Sequence, residues 1–143
     1  MRFWDSSAIL PLFAREAHSD AVEALVADDS AMIVWWAAHV ECASAVHRLR
    51  REGVFSPAEA VHLLARLTVA LDAAEVVQPG EELSSVALRL LATHPLRAAD
   101  ALQLAAALVW SRGRPDGREF VCLDERLSTA ALLEGFTLLP AFA

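Results

Sequence analysis

Four acidic residues stand where carboxylate chemistry is possible, because each directly follows an apolar residue: Asp5, Glu41, Asp100 and Asp124. Several carboxylates brought together without a lysine or histidine repel one another, and some would become protonated. A hard divalent cation relieves that repulsion, and oxygen-only ligands suit Mg²⁺ or Mn²⁺. Two such ions, or one ion and an activated water, would support an in-line phosphoryl displacement.

Each of these acids also has an ordinary structural alternative. Asp5 could close a turn, and Asp124 could be the N-cap of the last helix. Asp100 could interact with a helix dipole or with Arg97, three residues earlier. Glu41 could be an exposed residue paired with the arginine seven positions later. Taken singly, none of the four residues distinguishes a structural role from a chemical one.

The elements that carry these acids favour convergence at one place. Asp5 directly follows a short predicted strand, and Asp124 directly follows another. The carboxyl ends of parallel strands form one edge of a sheet, where ligands bind in α/β folds. The segment Ala98–Trp110 contains only two polar residues, Asp100 and Gln103, which is typical of a buried helix. A carboxylate there must be paired, hydrogen-bonded to free amides or bound to a metal.

Predicted strands and helices alternate along the chain, which indicates an α/β fold: a three-layer α/β/α sandwich around a mostly parallel sheet of four to five short strands. The predicted strands are Arg2–Trp4, Met32–Trp35, Val76–Val77, Phe120–Leu123 and Thr137–Leu139. The predicted helices are Ala8–Ala14 capped by Ser6 or Ser7, His18–Ala27, Ala37–Glu52, one from the Ser56 cap to Leu71, Glu81–Thr93, Ala98–Trp110 and Arg126–Glu134.

The composition is that of a single cytoplasmic domain spanning residues 1–143, with 56% hydrophobic residues to form its core. No uncharged run approaches the roughly 20 residues that a membrane span needs, so we expect no membrane association. The N-terminus does not have the pattern of a secretory signal. Two cysteines, Cys42 and Cys122, cannot form a disulfide framework, and a reducing cytosol is expected.

The net charge of −7 argues against a general nucleic-acid coat protein, although not against a metal-dependent enzyme that acts on nucleic acid. All 12 basic residues are arginines. The absence of lysine excludes mechanisms that need one, and it opposes a second hypothesis, a phospho-accepting receiver domain. Two arginine clusters could contact RNA phosphates or be solvated: Arg48 and Arg51 on a helix, and Arg112 and Arg114 in a loop.

At its acidic residues the chain resembles the PIN-domain ribonucleases, and among them the VapC toxins of VapBC toxin–antitoxin modules. The resemblance lies in FWDSSAILPL at 3–12, HVECASAVHRL at 39–49, LRAADALQLAAAL at 96–108 and FVCLDERLSTAALLEGF at 120–136. No motif is decisive singly, but the order and spacing match over essentially the whole chain. The resemblance implies a PIN-like α/β/α sandwich and a Mg²⁺-dependent endoribonuclease toxin.

The resemblance also implies a site. Asp5 and Asp100 would ligate Mg²⁺ (or Mn²⁺) most directly, Asp124 and Glu41 would complete the acidic cluster, and Ser7 would support it. The family often has Ser or Thr where this chain has Cys122, which leaves any hydroxyl contact there in doubt. The implied partners are an RNA substrate, a second copy of the chain in a homodimer, and a cognate VapB-like antitoxin whose C-terminal segment blocks the groove. A third hypothesis is a catalytically silent PIN-like binding or assembly module.

Overall fold

The computed structural model describes residues 1–141, in which a five-stranded, entirely parallel sheet forms the middle layer. The strands are β1 (Arg2–Trp4), β2 (Met32–Trp35), β3 (Glu75–Val77), β4 (Glu119–Val121) and β5 (Thr137–Leu139). Their order across the sheet is β3-β2-β1-β4-β5. The first strand of the chain is therefore the central one, and the residue that follows it emerges in the middle of the carboxyl edge.

Helices cover both faces of this sheet. They are α1 (Ser6–Ile9), which continues as a 3-10 turn (Leu10–Leu12), α2 (Ser19–Asp28), α3 (Ala38–Arg51), α4 (Pro57–Asp72), α5 (Glu81–Thr93), α6 (Ala98–Trp110) and α7 (Glu125–Glu134). Side chains of successive strand residues point to opposite faces. Accordingly, Phe3 packs with α5, α6 and α7, whereas Trp4 packs with α1 to α4. The predicted three-layer α/β/α architecture is confirmed.

Two predicted boundaries are wrong for local reasons. The first helix begins at Ser6 rather than Ala8, because Asp5 and not a serine is its N-cap: the Asp5 carboxylate accepts a hydrogen bond from the Ser7 N–H at 3.0 Å. The strand predicted at Phe120–Leu123 is Glu119–Val121, and the chain leaves the sheet before the last helix. As predicted, Asp124 caps that helix, accepting from the Leu127 N–H at 2.8 Å.

The apolar helix α6 lies under the sheet as its composition predicts. All residues from Gln103 to Leu108 are buried, and α6 packs along α5. Across the sheet face, the rings of Phe3 and Phe120 stack with centroids 5.3 Å apart. This packing fixes the axis of α6 and therefore the position of its first turn. Within residues 1–141, no helix is long and apolar enough to cross a membrane.

Leu104→Ala should lower the free energy of unfolding by about 2–5 kcal/mol, because Leu104 is fully buried on α6 and its loss leaves a cavity. The same change at Leu88, which is 66% exposed on α5, should alter stability by about 0.5 kcal/mol or less. Urea denaturation of both variants measures the difference. Equal effects at the two positions would contradict the packing described for α6.

Candidate active site

The carboxylate of Asp5 lies at the carboxyl end of the central strand and is almost completely buried, at 5% exposure. Its backbone N–H donates to the Val121 carbonyl at 2.9 Å, which continues the pairing of β1 with β4. The Cys122 thiol faces the carboxylate, with Sγ 3.7 Å from Oδ2. Burial raises the pKa of Asp5, and the negative charge of Asp124 raises it further, against hydrogen bonds from Ser7 that lower it.

Glu41 lies in the first turn of α3, and its half-buried carboxylate faces Ser6 and Gln103. It accepts hydrogen bonds from Gln103 Nε2, 3.3 Å from each carboxylate oxygen, and from Ser6 Oγ at 3.3 Å. Desolvation raises the pKa of Glu41, and the charges of Asp5 and Asp100 raise it further. The alternative pairing of Glu41 with Arg48 is not formed.

The other two acids line a cavity of about 700 Å³. Asp100 is half-buried in the first turn of α6, and Oδ2 accepts from the Arg97 N–H at 3.4 Å. Asp124 is exposed at the start of α7. The acids thus form two pairs, Asp5 with Glu41 at the sheet edge and Asp100 with Asp124 at the cavity. Charge interactions link Asp5 with Asp124, and Glu41 with both Asp5 and Asp100.

Among the described residues, no cationic side chain neutralises the buried Asp5 or the half-buried Glu41. Within residues 1–141, neither Asp5 nor Glu41 forms an ion pair or hydrogen bond with an arginine or histidine. No three His, Cys, Asp or Glu side chains in that range converge closely enough to form a ready-made metal cage. Mg²⁺, however, is commonly held by one or two carboxylates, waters and substrate phosphates rather than by a closed cage. The all-oxygen donor set therefore fits a hard divalent cation.

Two residues of this site, Ser6 and Gln103, were missed in the sequence analysis. Gln103 is 1% exposed, and its Nε2 donates to Ser6 Oγ at 2.8 Å as well as to Glu41. Its Oε1 has no hydrogen-bond partner among the described residues. The hydrogen bonds from Nε2 alone therefore orient the amide toward the Glu41 carboxylate. The sequence does contain an indication of the role of Gln103. It is the second polar residue of an otherwise apolar helix and lies three positions after Asp100, which places both side chains on one helix face.

Ser7 and Cys122 connect the two loops that follow β1 and β4. Ser7 Oγ accepts from the Leu123 N–H at 3.0 Å and lies 3.8 Å from Cys122 Sγ. Burial, reinforced by the charge of Asp5, raises the pKa of the Cys122 thiol to about 12. The thiol therefore stays protonated and serves as a weak hydrogen-bond donor to the carboxylate, not as a nucleophile.

The arginines predicted as RNA contacts lie away from the cavity. Arg112 and Arg114 follow the C-terminal end of α6, a 13-residue helix and so about 20 Å long, whereas Asp100 is at its start. Arg48 and Arg51 lie in the last turn of α3, where Arg48 pairs with Glu52 at 3.6 Å. The arginines that do line the cavity, Arg97 and Arg126, were not predicted.

Comparison with known proteins identifies the fold family. The PIN domain model matches residues 2–133, and the chain belongs to the PIN domain family. Similar solved structures include VapC20 from Mycobacterium tuberculosis, described as a sarcin-ricin loop cleaving toxin, at 20% identity over 96% of this chain and 97% of that one, with a TM-score of 0.67.

Two toxin–antitoxin complexes are also similar in fold. One, from Klebsiella pneumoniae, is 15% identical over 90% of this chain and 91% of that one, with a TM-score of 0.64. The other, VapBC2 from Rickettsia felis bound to a DNA fragment from its promoter, is 10% identical over 96% of both chains, with a TM-score of 0.65. At these identities the likeness is one of fold. No curated protein gives a significant sequence match.

Asp5→Asn should stabilise the metal-free protein at neutral pH. The amide can still cap α1, and it removes a buried charge. Burial raises the folded-state pKa of Asp5, so above that pKa the ionised carboxylate lowers the stability of the parent protein. The parent regains this stability as the pH falls toward the ordinary carboxyl pKa. The stability gain should therefore shrink with decreasing pH, as measured by urea denaturation in EDTA.

The matched control for this measurement is Asp116→Asn, at an exposed loop position. Its effect on the free energy of unfolding should be about 0.5 kcal/mol or less, as expected for an exposed position. A stability loss in Asp5→Asn at neutral pH would contradict the electrostatic description of the site and would assign Asp5 a purely structural role.

Proposed function

We propose that this chain is a Mg²⁺-dependent (or Mn²⁺-dependent) endoribonuclease toxin that hydrolyses phosphodiester bonds in RNA. The observation that carries the proposal is the buried Asp5 carboxylate beside the half-buried Glu41 carboxylate, at the carboxyl edge of the sheet and without a cationic partner among the described residues. Membership of the PIN domain family and the fold shared with VapC20, which is described as a sarcin-ricin loop cleaving toxin, support it.

In this proposal Asp5 and Asp100 hold the ion, and Asp124 and Glu41 complete its surroundings. The ion, when bound, would acidify a water and neutralise charge on the phosphoryl oxygens. Gln103 and Ser6 keep the Glu41 carboxylate oriented, and Ser7 does the same for Asp5. One of the carboxylates at the cavity, Asp100 or Asp124, would orient the attacking water.

The proposed partners follow from the same comparisons. Two of the similar structures are toxin–antitoxin complexes, which supports a VapB-like antitoxin for this chain. We propose that the antitoxin's C-terminal segment occupies the groove beside Asp100 and Asp124 and that the toxin acts as a homodimer in the cytoplasm. Co-expression with the product of a short neighbouring reading frame tests the antitoxin, and light scattering tests the dimer.

Asp100→Asn should reduce RNA cleavage at least 100-fold, because it removes a metal-binding charge at the mouth of the site. The fold should survive, since the only hydrogen bond the Asp100 side chain forms within residues 1–141 is the long one to the Arg97 N–H. Even Asp100→Ala should cost little stability. Cleavage of total RNA by purified protein in Mg²⁺ measures the activity, and circular dichroism measures the fold.

Asp116→Asn, which changes an exposed acid outside the site, should cleave RNA as the parent does. The proposed function is wrong if Asp100→Asn retains parental cleavage. A large loss of stability in Asp100→Ala would instead assign that residue a structural role in α6.

Mn²⁺ at about 100 times its Kd should raise the thermal midpoint of the parent by about 5–10 °C, because an ion that binds only the folded state stabilises it by mass action. Asp5→Asn should lose most of that rise. The test separates an active nuclease from a catalytically silent PIN-like module, for which the cysteine at position 122 is the one hint in the sequence. No shift at millimolar Mn²⁺, together with no cleavage, would support the silent module.

A further inference from the structure

Two arginines line the cavity that the acids Asp100 and Asp124 open onto. Arg97 immediately precedes α6, three residues before Asp100, and Arg126 lies in the first turn of α7, two residues after Asp124. The junction before α6 thus places one acid and one arginine on the cavity lining, and the junction before α7 places two acids, Asp124 and Glu125, and one arginine. Arg97 and Arg126 are the only arginines that line this cavity within residues 1–141.

Both guanidiniums are exposed and have no acidic partner within the described part of the chain. This distinguishes them from arginines that the fold uses. Arg2 is paired with Asp28 and Glu119, and Arg89 forms a two-pronged pair with Glu134 at 2.9 and 3.1 Å. The fold does not need Arg97 or Arg126 for an ion pair, although carboxylates lie close by.

The charge of the chain makes such a pair necessary for a polyanionic substrate. A net charge of −7, together with acids lining the cavity, repels an RNA backbone. Metal ions can offset that repulsion only at the phosphate they contact. Arginine matches a phosphate with a planar fork of N–H donors and remains charged at any physiological pH. Two guanidiniums beside the acids would hold the phosphates next to the one that reacts.

We propose that Arg97 and Arg126 bind the phosphodiester backbone of the RNA substrate on either side of the reacting phosphate. The inference rests on the proposed ribonuclease function and adds the residues that hold its substrate. Because phosphate contacts carry no sequence information, this pair sets affinity and register rather than the choice of cleavage site. It replaces the sequence-based expectation that Arg112 and Arg114 contact RNA.

The test compares Arg97→Gln/Arg126→Gln with Arg112→Gln/Arg114→Gln, a variant with the same charge change at exposed positions away from the cavity. Fluorescence anisotropy in EDTA measures the affinity for a short single-stranded RNA over a series of salt concentrations. The probe is also made as an oligonucleotide with uncharged methylphosphonate linkages. Cleavage kinetics in Mg²⁺ give KM and kcat for the charged RNA.

The cavity variant should bind the charged RNA roughly 25- to 100-fold more weakly than the parent, as expected for two lost charge-assisted phosphate contacts. Its salt slope should fall by about 1.4, since each phosphate contact to a single strand contributes about 0.7. Its affinity for the methylphosphonate probe should match the parent's. KM should rise by a similar factor with a much smaller change in kcat, and the loop variant should behave as the parent.

Three results would overturn the inference. One is equal loss of affinity in the two double variants, which would mean a general charge effect. Another is equal loss for the charged and uncharged probes, which would mean that the arginines contact bases or shape the cavity. The third is cleavage by the cavity variant with parental KM and affinity; the proposed function would then stand without this pair. A parent that neither binds nor cleaves RNA would overturn both.

Discussion

The arrangement of this protein depends on one unfavourable interaction, the burial of the Asp5 carboxylate close to the half-buried carboxylate of Glu41. An isolated buried charge is costly, and two like charges are more so. The fold supplies only partial relief, through the Ser7 N–H at Asp5 and the Gln103 amide at Glu41. The packing that holds the pair in place must therefore be strong. It consists of the central strand, whose residues are all buried, and the apolar helix α6.

This constraint explains why α6 is apolar nearly throughout. A helix with a polar outer face could shift or rotate at little cost, whereas one whose residues from Gln103 to Leu108 are all buried cannot. The two polar side chains of α6 lie three residues apart and so face the site together. Asp100 lines the cavity, and Gln103 contacts Glu41 deeper in the site. The same rigid body thus sets the position of Asp100 and, through Gln103, the orientation of Glu41.

The sequence predicts the fold and the acids better than it predicts their surroundings. Alternating apolar strands and capped helices are local patterns, so the parallel sheet and its layers follow from them. The contact between Gln103 and Glu41 joins residues 62 positions apart, on helices that cover opposite faces of the sheet, so it depends on the tertiary fold. Arg112 and Arg114 form an obvious cluster in the sequence, yet the length of α6 separates them from the site. Asp5 shows that the cap and the candidate ligand are one side chain, not alternatives.

At the two helix starts that border the cavity, one carboxylate likewise combines a hydrogen bond to the helix backbone with a candidate ligand role. Asp124 caps α7 with one carboxylate oxygen, which leaves the second oxygen for a ligand. Asp100 makes a single long bond to the backbone N–H of Arg97, and that arginine's side chain is left free to reach into the cavity. At each junction, therefore, one carboxylate oxygen accepts the hydrogen bond from the start of the helix, and the helix does not use the other oxygen. The remaining oxygen and the adjacent guanidinium are complementary to the two components of a metal-bound phosphodiester, the cation and the anion.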